Sequence, residues 1–167
     1  IHTEENLLNL QLEGRAAIIT GGSLGIGRAI AEAFAREGMS AAIVARSVGP
    51  LEQAAAEITA ATGARVLAVP ADVSNTAAVD AAVARAAAAF GRLDVLGNGA
   101  AHPGCLVRNE IEQADPDKLL EDSDSKVVGY FRMARAVVPH MKANRFGRIL
   151  NIGGLTGRGS KQISGMR

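Results

Sequence analysis

Short apolar runs alternate along the chain with longer, alanine-rich stretches. The runs Ala16–Thr20, Ala41–Ala45, Arg65–Val69, Val95–Gly97 and Arg148–Ile152 lack in–out alternation, as strands buried on both faces do. Between them, Ile26–Arg36, Leu51–Thr62, Thr76–Phe90 and Pro116–Ala143 have helical composition, and Ala86–Ala89 is helix-favouring alanine rather than a disordered tract. Gly38 and Gly63 follow two of these stretches closely, where C′ glycines close helices. Asp115-Pro116 reads as an N-cap with proline at the first helical position. Pro139 predicts a bend or an end in the last helix, near its C-terminal part. Strand–helix alternation of this kind predicts a parallel sheet with right-handed crossovers and helices on both faces: an α/β, Rossmann-type doubly wound fold. No internal repeat or linker divides it. Residues 1–13 read as an N-terminal arm whose Leu7, Leu8, Leu10 and Leu12 would pack on the sheet or on a neighbouring subunit; 14–167 read as one domain.

Composition narrows the functional classes. The chain has 167 residues, 48% of them apolar, enough for a domain that buries roughly 70% of its unfolded surface. A net charge of +1 and 3% aromatic residues supply neither a basic footprint nor a stacking platform for nucleic acid. No apolar run approaches the roughly 20 residues of a membrane span, and no secretory signal is visible. The single cysteine, Cys105, has no internal disulfide partner, which fits a reducing cytoplasm.

The first strand runs directly into Thr-Gly-Gly-Ser-Leu-Gly-Ile-Gly, residues 20–27. The spacing Gly21-x-x-x-Gly25-x-Gly27 is not G-x-G-x-x-G, because Ile30 takes the third glycine's place when counting starts at Gly25. Set between a strand and a helix, it still predicts a turn that offers backbone N–H groups and a helix N-terminus to a phosphate, through Gly21, Ser23, Leu24, Gly25, Ile26 and Gly27. A doubly wound sheet binds its ligand where strand order reverses, here between the first and fourth strands. Three loops meet there: Gly21–Gly27, Arg46-Ser47 and Asn98–Ala101. Arg46 ends the second strand about 20 residues after the turn, where an acid would take a ribose 2′-hydroxyl and an arginine accommodates a 2′-phosphate. Ser47 adds a hydroxyl. Arg46 is otherwise a solvated residue at a strand end. The reading favours NADP, with NAD the alternative.

The turn with its preceding Thr20 resembles the signature of the short-chain dehydrogenase/reductase family, over about Leu12 to Gly157. The resemblance implies that Asp72 accepts from an adenine amino group and that Val73 lines the adenine pocket; read alone, this stretch is a cap for the helix Ser74–Phe90. Asn98-Gly99-Ala100-Ala101 is a divergent copy of the family's Asn-Asn-Ala-Gly. Asn98 is kept, Gly99 stands for an asparagine that braces strands, and the backbone through Ala100 still lines the ribose and nicotinamide side. The second basic residue common in the family's turn is replaced by Leu24.

The resemblance also implies a tyrosine acid/base with a lysine four residues later, a serine and an asparagine. The cation is needed to bring a phenol down from a pKa of about 10. The sole tyrosine, Tyr130, is followed by Ala134 at that spacing and precedes the fifth strand, so it reads as a packing residue. The expected tyrosine falls at or beyond Arg167. Gly154 stands at the serine's place, with Gly153 reading as part of a tight turn and Thr156 as a weak hydroxyl source. Lys126 stands at the asparagine's place. It is the one catalytic candidate, to relay a proton or hold an anionic substrate, and is otherwise a solvated lysine among Asp115, Asp117, Glu121, Asp122 and Asp124. His102 and Cys105 alone do not make a metal site, and none is expected; His140 reads as a helix-end residue. The expectation is an oxidoreductase that transfers hydride between a nicotinamide cofactor and a small carbonyl or alcohol, within a longer protein, the 167-residue chain alone being inactive. The chain opens on Ile1 rather than Met, and the family's chains run well past its end. The alternative is a non-catalytic dinucleotide-binding module, a sensor or pseudoenzyme. The long helix resembles the one the family uses for subunit association, which implies a homo-oligomer.

Overall fold

The computed structural model describes residues 10–101 and 115–153. Its strands are β1 (Ala16–Thr20), β2 (Ser40–Ala45), β3 (Val66–Pro70), β4 (Val95–Asn98) and β5 (Arg148–Asn151); its helices are α1 (Gly25–Arg36), α2 (Val48–Thr62), α3 (Thr76–Phe90), α4 (Pro116–Ser123) and α5 (Gly129–Asn144). The strands pair in parallel in the order β3-β2-β1-β4-β5, with Ile18 beside Ala42 on one side and Leu96 on the other.

Two apolar cores lie on opposite faces of this sheet. Ala17, Ile19, Ala41, Ile43 and Val95 pack with Ala31 and Ala35 of α1 and Leu51, Ala54, Ala55 and Ile58 of α2. Ala16, Ile18, Ala42, Val44, Val69 and Leu96 pack with Val79, Ala82, Val83 and Ala86 of α3 and Met133, Val137 and Met141 of α5. Helices thus cover both faces, which is the doubly wound arrangement and explains why the central strands are uniformly apolar. Alanine on both sides of these contacts lets helix backbones approach the sheet closely. Leu12 of the arm packs on the α1–α2 side, Leu10 is exposed, and Leu7 and Leu8 lie outside the described residues.

Asp94 anchors the start of β4. Its carboxylate is fully buried and accepts from the Ala16 N–H at 3.0 Å, from Arg92 Nε at 2.6 Å and from Arg92 Nη2 at 2.8 Å. Burial pushes this carboxyl up, but the hydrogen bonds from Arg92 and Ala16 outweigh it and hold the group below the usual carboxylate range.

Three local readings are corrected and a fourth, at Pro139, is narrowed. Helix α2 begins at Val48 rather than Leu51, because Pro50 falls in the first turn, where a missing N–H costs no intrahelical bond. The cap of α3 is Asn75, whose side chain accepts from the Ala78 N–H at 3.0 Å; Ser74 instead donates to Asp72 Oδ1 through its N–H and its hydroxyl. The stretch Pro116–Ala143 is not one regular helix: a π-helical turn at Asp124–Val128 separates α4 from α5. Pro139 does not end α5, which runs on to Asn144. Met133, Val137 and Met141, four residues apart, bury both turns around it, and that packing offsets the roughly 3 kcal/mol a helix-interior proline costs. The Asp115 cap, accepting from the Asp117 N–H at 3.0 Å, and Pro116 in the first turn are as read.

Candidate nucleotide-binding cleft

At the β1–β4 boundary the chain leaves the sheet toward opposite faces, and a cleft of about 530 Å³ opens beyond the strand ends. The glycine turn forms its floor. The N–H groups of Gly21 and Gly22 both donate to the Val44 carbonyl, at 2.8 and 3.3 Å, which pins the turn to β2. A Cβ on Gly27 would collide with the Gly21 carbonyl, its carbon only 2.7 Å away. Gly25 differs: its φ is +58°, and a Cβ there would meet nothing within 4 Å. Open space therefore begins at Gly25. The first turn of α1 has no side-chain cap and no acidic residue, so its N–H groups are left for an external acceptor. Gly22, which sequence reasoning passed over, is needed for packing: a Cβ would stand 2.6 Å from the Ile43 Cβ.

Thr20 couples the turn to the β4 loop. Its Oγ1 accepts from the Gly99 N–H at 3.0 Å and the Ala100 N–H at 3.1 Å. The cleft wall includes Gly21, Ser23, Leu24, Gly25, Ile26, Gly27, Arg46, Ser47, Asp72, Val73, Gly99 and Ala100, gathered from four loops far apart in sequence. Arg46 is exposed there and makes no ion pair among the described residues. Asp72 is on the same wall, its Oδ1 held by Ser74.

Asn98 is corrected: it is fully buried and does not line the cleft. Its Nδ2 donates to Asn151 Oδ1 at 2.9 Å, and at 3.5 Å to the Tyr130 carbonyl, so it braces β4 against β5 and α5. The wall also includes Ala101, the end of the loop read from sequence, and Val44, Ala45, Ala71, Ser125, Ile152 and Gly153, which were not read as lining it. Most are apolar or small residues at strand ends, with nothing in their type to distinguish them from core.

Tyr130 also reaches the cleft. Its hydroxyl donates to the Ile152 carbonyl at 3.1 Å. Burial pushes the phenol up, and the Asp122 carboxylate adds to the rise. A phenol so placed is a strut rather than an acid near neutral pH. Lys126 lies in the π turn and lines the cleft, with Nζ 3.4 Å from Asp122 Oδ2. Arg132 holds this turn in place. It donates to Asp124 Oδ1 at 2.8 Å, and through Nη1 to the carbonyls of Asp124 and Val73, both at 3.3 Å. Gly154, Thr156, His102 and Cys105 lie outside the described residues. Among the described residues no group of three His, Cys, Asp or Glu could hold a metal ion, and no helix is long and apolar enough to cross a membrane.

Comparison with known proteins agrees with this geometry. The profile of the family described as short chain dehydrogenase matches residues 15–165. The oxidoreductase UcpA of Salmonella typhimurium is 37% identical over 147 residues, which are 88% of this chain and 54% of that protein. The solved NAD+-bound xylitol dehydrogenase superimposes with a TM-score of 0.85 at 26% identity, covering 92% of this chain and 58% of its own. L-sorbose reductase from Gluconobacter frateurii, solved with NADPH and L-sorbose, gives a TM-score of 0.72 at 39% identity, over 83% of this chain and 51% of its own. The chain therefore spans little more than half the length of these relatives.

Proposed function

The chain belongs to the short chain dehydrogenase family, and from that premise we propose that it forms the dinucleotide-binding part of an NADP(H)-dependent oxidoreductase acting on a small carbonyl or alcohol. The observation that carries this reading is the cleft at the strand-order reversal, with an open glycine turn on its floor and Arg46 on its wall. The residues fit a dinucleotide. Space at Gly25 and the uncapped first turn of α1 suit a pyrophosphate. Arg46 and Ser47 suit a ribose 2′-phosphate, which a guanidinium takes bidentately. Asp72 and Val73 suit the adenine edge and face.

When bound, the nicotinamide supplies or accepts the hydride. The chain's own residues bind and orient: the turn takes phosphate charge on backbone N–H groups, and Thr20 keeps the β4 loop in register with it. Tyr130 is not poised as an acid on the cleft wall. The Tyr130 proton is engaged with the Ile152 carbonyl, and Ala134 supplies no cation one turn on. We therefore assign proton transfer to a part of the protein other than this cleft wall and read the 167-residue chain as binding without turnover. The xylitol and L-sorbose named for two relatives support a small substrate. Exposed Leu119, Leu120, Val127 and Phe131 support homo-oligomer formation, and the single cysteine supports a cytoplasmic setting.

Titration of the chain with NADPH and NADH, followed by fluorescence of the reduced nicotinamide, tests the proposal. Tighter binding of NADPH supports it; failure of both to bind refutes it.

A further inference from the structure

The cleft has two cations at its opposite ends, and the dinucleotide reading uses only Arg46. The other is Lys126. Its surroundings are unlike those of a solvated surface lysine. The π turn brings Ser125 and Lys126 into a cleft wall that also includes Tyr130, Ile152 and Gly153, and on which the acidic residue is Asp72, its Oδ1 held by Ser74. The counterion, Asp122, is not part of that wall. Its side chain is 13% exposed, that of Lys126 35%, so an anion entering the cleft meets the ammonium before the carboxylate. The pair is also loose. At 3.4 Å it exceeds the roughly 2.7–2.9 Å of a charge-assisted N–H···O contact. An ammonium has three donors, and Lys126 makes no hydrogen bond among the described residues beyond this ion pair. Asp122 Oδ1 is buried without a partner, which marks the pair as incompletely satisfied.

We infer that Lys126 is an anion-binding residue at the β4–β5 end of the cleft, and that the protein's substrate carries a carboxylate or phosphate group. This rests on the dinucleotide reading for the position of the substrate, but not for the anion site itself. Arg132 acts as a positioning residue, because it ties the π turn to the Val73 carbonyl of the same wall. Asp122 competes with the incoming anion and so sets how tightly it is held.

The test uses malonate and inorganic phosphate as probes, with glycerol as the neutral control, on the isotopically labelled chain with and without saturating NADPH. Backbone amide shifts are read at Ser125, Lys126 and Gly153. Malonate or phosphate is expected to move these signals, and glycerol is not. Lys126→Gln should weaken anion binding by roughly 10- to 100-fold, whereas Lys126→Arg should keep it within about threefold. Asp122→Asn should tighten it, because the competing carboxylate is gone; a merely structural pair would not give that sign. Unchanged binding in Lys126→Gln, shifts confined to Gly21–Gly27, or equal weakening by Asp122→Asn and Lys126→Gln would each overturn the assignment. NADPH binding is read separately from the Gly21–Gly27 amides, so loss of the cofactor reading and loss of the anion site are distinct results.

Discussion

Replacing Asp94 with asparagine keeps the shape of the side chain and removes its charge. In the native protein both carboxylate oxygens accept: Oδ2 from Ala16 and Arg92 Nε, Oδ1 from Arg92 Nη2. Asparagine has one acceptor oxygen, so its NH2 must face one of these donors. Hydrogen bonds to charged groups contribute about 1.5–3 kcal/mol each, and removing one partner of a buried pair costs about 3–5 kcal/mol. The Arg92 side chain is 38% exposed and can turn to water, which places the loss at the lower end, about 2–4 kcal/mol. For a chain of this size that is roughly 4–16 °C in Tm. The dependence on pH follows from the depressed carboxyl. Its contribution is fully present above the unfolded pKa of about 3.9 and is lost as pH falls through the lower folded value. Urea melts of both proteins should therefore differ by a constant amount from about pH 5 to 8 and converge in acid. A gap below about 0.5 kcal/mol, or one that persists unchanged below the folded pKa, would refute the reasoning. Folded Asp94→Asn should still bind dinucleotide, since Asp94 sits at the strand ends opposite the cleft.

Three further outcomes are expected. Arg46→Asp should reverse cofactor preference by removing a contact of about 1.5–3 kcal/mol, or roughly 10- to 100-fold in Kd; an unchanged NADPH-to-NADH ratio by calorimetry would remove Arg46 from selection. Gly27→Val should lower Tm and abolish binding, because its Cβ collides with the Gly21 carbonyl, while Gly25→Val should lose dinucleotide affinity with a smaller loss of stability, its cost being the strain of a β-branched residue at a φ of +58° without any collision; equal melting losses in the two would contradict that division. The 167-residue chain should bind NADPH yet show no steady-state oxidation of it with a panel of ketones and aldehydes, general acid catalysis worth about 10²–10⁴ being absent; measurable turnover abolished by Tyr130→Phe would show that Tyr130 is an acid after all.

Strand β1 and helix α3 fall where the residue pattern puts them, because unbroken apolar runs and alanine-rich stretches signal each period without ambiguity. Much of the cleft was legible too, since glycines at a strand–helix junction and an arginine at the next strand end carry their chemistry in their types. The π turn was not: one extra residue per turn leaves the apolar spacing of Asp124–Val128 indistinguishable from that of an ordinary helix. Asn98 misled because its identity suggests a ligand contact, while its burial against Asn151 depends on a strand far along the chain. Asp94 went unread for the same reason: its partners lie two and 78 residues away, and only the sheet brings Ala16 to it.

The alanine contacts on both faces of the sheet bear on how this protein can vary over generations. A methyl group squeezed between a strand and a helix leaves almost no permitted replacement: anything longer pushes the layers apart, and glycine loosens the backbone. Ala17, Ala41, Ala31 and Ala54 are thus close to frozen unless two facing positions change together. Leu24 and Arg46 end in solvent at the mouth of the cleft and carry no such constraint. Inherited change is channelled to the rim, so preference for cofactor or substrate can drift from one lineage to the next while the interior that holds the strands together stays fixed.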